Sequence, residues 1–155
     1  MGWFNWIGLI FIAVIMVPNI VFAAAHREGF DNLWKNRAVE LLEQVGRFGC
    51  IALMIVNIPH TWLGFWFEGA AAVYIAVNSL LAAAYLAVWA ICWKRWPIFR
   101  AYALSIIPSV IFIFSGVMLR SLLLLFALLF AICHITISLK NSYAEDAKNQ
   151  NNRKR

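Results

Sequence analysis

Long apolar runs alternate with short polar segments along the chain. A membrane helix needs about 20 mostly apolar residues. Five runs meet that requirement, over residues 3–25, 48–66, 69–93, 98–115 and 119–139. The last two read as a single helix would be on the order of 60 Å long at ~1.5 Å per residue. That is twice the hydrocarbon thickness, so the pattern predicts a hinge at Ser115-Gly116. The first run lacks the Lys or Arg that precedes a signal-peptide core, which predicts a retained helix.

Residues 34–47 follow another rule. Trp34, Ala38, Leu41, Val45 and Phe48 recur at spacings of three and four. Arg37, Glu40, Gln44 and Arg47 do the same on a second face. The spacing predicts an amphipathic helix lying on the membrane surface and turning down into the second span. Glu43 precedes Arg47 by four positions, the favourable order for a helical ion pair. Gly46 and Gly49 leave room to bend or to pack closely. The competing reading makes Glu43 and Arg47 a substrate or partner site at the mouth of the bundle.

Composition agrees with a bilayer as solvent. Hydrophobic residues make up 64% of the 155 and charged residues 13%, against about 25% charged in soluble domains. The net charge of +6 forms no groove or nucleic-acid motif, so nucleic acid is excluded as a partner. Its distribution is more informative. Arg27, Lys35, Arg37, Arg47, Lys94, Arg95, Arg100, Lys140, Lys148, Arg153, Lys154 and Arg155 fall on one side of the expected topology, and only Arg120 on the other. The positive-inside rule then places the N-terminus outside and the C-terminus in the cytosol, with anionic lipid of the inner leaflet as the partner of the basic side. Aromatic belts fit the same topology. Trp3, Phe4, Trp6, Trp62, Phe65, Trp66 and Phe67 lie towards one interface, and Trp89, Trp93, Trp96 and Phe99 towards the other.

The fold expected is all-α: a polytopic bundle of five transmembrane helices plus one amphipathic interfacial helix. Residues 1–140 make the membrane domain, and 141–155 a disordered basic tail.

Three short motifs carry a resemblance. "VPN" at 17–19, "EQVGRFGC" at 43–50 and "NIP" at 57–59 resemble those of a group of small multi-span membrane proteins of Gram-positive bacteria. The resemblance covers most of the chain up to the tail. It implies a multi-pass protein of the bacterial plasma membrane. It implies no activity and no catalytic residue.

Polar side chains inside spans are costly and mark helix contacts or sites. The candidates for a ligand or transport site are Asn19, which follows Pro18, Asn57, which shortly precedes Pro59, Asn78 and His134. Counting along the spans puts His134 at a depth similar to Asn19, whose amide, or a serine, is its expected partner, and well below Glu43. An enzyme would need Glu43, Arg47 and His134 to converge. Cys50, Cys92 and Cys133 show no metal-ligand spacing, so no metal or other cofactor is expected, and no catalytic residue is assigned. The third span carries Ala72, Ala76, Ser79, Ala83, Ala87 and Ala90 as a stripe of small residues. Such a stripe lets backbones approach closely. It predicts either a central helix or the face of a homodimer through Ala72, Ala76, Ala83 and Ala87. No hydrolase, protease or phosphate-loop motif is present. The chain reads first as a non-enzymatic membrane subunit or a protein binding a small ligand or lipid. An oligomeric transporter or channel is the alternative, and an intramembrane enzyme the third.

Overall fold

The computed structural model describes residues 3–25, 34–93 and 97–153. Arg27, Lys94, Arg95, Trp96, Lys154 and Arg155, counted above, lie outside the described residues. The described chain folds into five helices: α1 (Trp6–Ala25), α2 (Arg37–Ile55), α3 (Ala70–Cys92), α4 (Pro97–Leu119) and α5 (Leu123–Arg153). Four of them are long and apolar enough to cross a membrane, over Trp6–Ala25, Ala70–Cys92, Ile98–Leu119 and Leu123–Ala144.

Local chemistry sets the ends. The Asn5 side chain caps α1, its Oδ1 accepting from Gly8 N–H at 3.1 Å. Asn36 caps α2 by accepting from Val39 N–H at 3.3 Å. Pro97 opens α4, where a missing N–H costs nothing. Between α4 and α5 the chain turns at Arg120, whose φ of 47° lies in the left-handed region. The hinge is thus not at Ser115-Gly116, because both stay helical. Gly116 is instead a close-packing position: a Cβ there would lie 2.6 Å from Leu124 N.

The helices run alternately up and down and close into a ring. α1 packs on α2, α2 on α5, α5 on α4, α4 on α3, and α3 back on α1. The antiparallel alignment of α2 and α5 can be read directly. Trp34 N–H donates to Asn141 Oδ1 at 2.8 Å, Glu43 meets His134, and Gly46 lies against the Phe130 backbone. α2 therefore spans the height of the bundle and ends beside the start of α1, where Asn5 N–H donates to Ile55 O at 2.7 Å.

This corrects the reading of an interfacial helix followed by a separate span over 48–66. There is one helix, and it stops at Ile55. Val56 is extended, and Asn57, Pro59 and Gly64 keep the following segment irregular up to Gly69. That segment covers one end of the ring: Leu122 N–H donates to Thr61 O at 3.0 Å, and Trp66 Nε1–H to Val117 O at 2.7 Å. α2 also buries a face that the two expected stripes do not include, while Arg37 and Gln44 of the polar stripe are exposed. Glu43, Gly46, Cys50, Leu53 and Met54 are buried, while Leu41, Leu42, Val45 and Phe48 are exposed.

Two other expectations are corrected. α3 is not central. Its buried face is Ala70, Tyr74, Asn78, Ala82, Tyr85, Trp89 and Cys92, and the stripe Ala72, Ala76, Ser79, Ala83, Ala87 and Ala90 is exposed. Large side chains fill the gap between α3 and its neighbours, and the small ones are left outside. The segment expected to be disordered from 141 onward is helical to Arg153. No Gly or Pro follows Gly116 to end the helix.

Candidate functional site

Polar side chains on these helices fall into four separate places. Asn19 is held on α1 by its own helix and by α3. Its Nδ2 donates to Ile15 O at 3.1 Å, and its Oδ1 accepts from Tyr85 O–H at 2.9 Å. Both ends of the amide are used, so it joins two helices. Asn57 lies in the irregular segment at the end of the ring, where its backbone N–H donates to Trp3 O at 2.8 Å. Asn78 is buried between α3 and α4 and donates to Ser115 Oγ at 3.2 Å. The fourth place is formed by His134, Glu43 and Arg47. Asn19, Asn78 and His134 thus bond to different side chains: Tyr85, Ser115 and Glu43.

His134 finds Glu43 as its partner, rather than Asn19. Its Nδ1 lies 3.0 Å from Glu43 Oε1. A carboxylate only accepts, so Nδ1–H donates to it. Arg47 donates to the same Oε1 through Nε at 3.0 Å and through Nη2. Three donors from two helices thus meet one carboxylate oxygen. The His134 ring stacks on Phe130, with centroids 4.6 Å apart and planes 17° from parallel. The stack and the hydrogen bond together fix the ring.

Depth counting fails here because it takes residues 34–47 to lie flat on the surface. With α2 upright beside α5, Glu43 descends to the level of His134. The carboxylate comes from α2, over residues expected to lie outside the spans. Its side chain is 4% exposed, whereas Arg47 retains 35% and His134 26%. The acid is therefore the buried anchor, and the base and imidazole form the open side. Arg47 uses two of its five N–H groups on Glu43, and the other three have no acceptor among the described residues.

The arrangement offers a charged donor surface and a titratable imidazole. Glu43, Arg47 and His134 thus do converge, as an enzyme would need, and no hydroxyl among the described residues is bonded to the imidazole. The nearby hydroxyls of Thr136 and Ser138 donate to the backbone carbonyls of Ile132 (2.7 Å) and Ala101 (3.3 Å). Cys50, Cys92 and Cys133 are buried free thiols. No group of three metal-ligating side chains occurs among the described residues.

Sequence reasoning also missed Asn5, Tyr74, Tyr85 and Ser115, all of which are polar side chains packed between helices. The signal was present for α3. Tyr74, Asn78, Ala82, Tyr85 and Trp89 recur at spacings of three and four, a stripe as regular as the alanine one beside it. Compared with protein-family models, curated proteins and solved structures, the chain matches none of them, so its chemistry is read from these residues alone.

Proposed function

We propose that this is a five-pass membrane protein that binds an acidic lipid, without catalysis, at the Arg47–His134 opening between α2 and α5. The reading is carried by one observation: α2 buries Glu43 against α5 while Leu41, Leu42, Val45 and Phe48 stay exposed. In water that helix would be inside out. In a bilayer it places Leu41, Leu42, Val45 and Phe48 against lipid, and Glu43 against α5. α2 is then the fifth span, although its composition alone does not qualify it.

Arg47 supplies the ligand chemistry. An unsatisfied N–H in hydrocarbon costs several kcal/mol, and three of its N–H groups remain. A lipid phosphate is a fitting acceptor, because a planar guanidinium pairs with it through two parallel hydrogen bonds. The acyl chains would lie along the exposed faces of α2 and α5. Native mass spectrometry of the protein released gently from its membrane is the test. The wild type should retain an acidic lipid, and Arg47→Gln should lose it. An adduct of equal occupancy in both proteins would remove Arg47 from the site, and a wild type free of lipid would reject the reading.

The Glu43–His134 hydrogen bond favours a second reading, in which an oligomeric transporter passes a proton through this pair. Proton-driven flux into vesicles that disappears in His134→Gln would select it.

The basic side faces the cytosol of a bacterial plasma membrane in this proposal, as the positive-inside rule and the resemblance of the three motifs imply. A reporter that fluoresces only in the cytosol, fused after Arg155, should be bright. Fluorescence from the N-terminal fusion instead would reverse the orientation.

A further inference from the structure

We propose that Asn5, Tyr74, Asn78 and Ser115 form a buried site for an internal water molecule that joins α1, α3 and α4. The four residues are 4%, 0%, 0% and 0% exposed. Each brings hydrogen-bonding capacity to the same place. Asn5 uses its Oδ1 on Gly8 N–H, and its Nδ2 has no partner in the protein. Asn78 uses its Nδ2 on Ser115 Oγ, and its Oδ1 has no partner. The Tyr74 hydroxyl sits beside Ser115 and Asn5, with neither close enough and aligned enough to satisfy it.

Three unpartnered polar atoms in one buried patch call for a ligand, since buried polar groups are almost always paired. Their types decide what it is. Asn5 Nδ2 only donates, Asn78 Oδ1 only accepts, and the tyrosine hydroxyl does both. The ligand must therefore accept one hydrogen bond and donate another. A metal cation cannot accept from Asn5, and none of these four side chains carries a charge to balance one. A simple anion cannot donate to Asn78. Size decides the rest. A Cβ added at Gly8 would lie 3.0 Å from Asn5 Nδ2 and overlap the Met54 carbonyl, so this side of the patch is tightly closed. The rings of Phe11 and Phe65 flank Tyr74 with centroids at 6.1 and 5.8 Å. Water fits both demands, and about three hydrogen bonds is its usual number in protein interiors.

Hydroxyl-radical footprinting of the full chain in lipid nanodiscs tests this, because radiolysis of a bound water labels the side chains around it. Tyr85 is the internal control: it is equally buried, but its hydroxyl is already bonded to Asn19. Tyr74 should label several-fold faster than Tyr85. Equal, background labelling of the two tyrosines in the wild type overturns the proposal, and that comparison needs no variant. In Asn78→Leu the Tyr74 rate should fall to that of Tyr85. A rate that stays high would remove Asn78 from the site and overturn the assignment as stated.

Discussion

Replacing Glu43 with Ala should destabilise the protein by about 3 kcal/mol, the lower end of the cost of breaking a buried ion pair from one side. The carboxylate is 4% exposed and accepts from both Arg47 and His134. Its loss leaves a guanidinium and an imidazole facing an apolar interface. The lower end applies because Arg47 keeps 35% of its side-chain surface and can turn outward. The double variant Glu43→Leu/Arg47→Leu should recover most of that loss, since matched apolar side chains often replace a buried pair at little cost. Denaturant titration in detergent, followed by tryptophan fluorescence, would measure both. A single-variant loss below about 1 kcal/mol, typical of exposed pairs, would show that water reaches the carboxylate and that α2 is not sealed against α5.

Gly46→Ala should cost more than Gly49→Ala, about 3 against about 1 kcal/mol, within the range for overpacked cores. Both glycines lie on the α2–α5 seam. A Cβ at Gly46 would come within 2.7 Å of Phe130 N and 2.9 Å of its Cα. Backbone cannot yield without separating the two helices, and separation would also stretch the Glu43–His134 hydrogen bond. A Cβ at Gly49 would overlap the ring of Phe126 instead, and a ring can swing aside. The ranking follows from what must move rather than from which contact is tighter. The same titration measures it. The reverse order would mean that the Phe126 ring is locked and that the seam opens more easily at Gly46.

The four apolar helices are legible in the sequence because a bilayer demands length and apolarity, and both are properties of composition. α2 is not, although its periodicity is plain. An apolar stripe has a direction relative to its own helix and none relative to the surroundings. The same Leu41, Val45 and Phe48 face reads as buried in water and as exposed in lipid. With α2 laid flat, Glu43 and His134, 91 positions apart, fall at different depths. No local spacing could pair them. The exposed alanine stripe misleads as a sign of a central helix for a related reason: small size permits close packing within the bundle but does not require it. The inward face of α3 is marked by its tyrosines, which need both apolar contact and a polar partner.

The pairing of α2 with α5 also constrains how the protein is made. α2 is the one helix of the five that is not apolar enough to qualify as a span by composition, and α5 supplies the one partner that Glu43 has from another helix, His134. During synthesis α5 emerges only after α3 and α4 have been completed. Until then Glu43 and Arg47 have each other but no second helix to cover them. On the proposed five-pass reading, insertion of α2 is a late event, conditional on a helix made three helices downstream. Ribosomes stalled after α4 would hold a chain whose second helix still lies at the membrane surface.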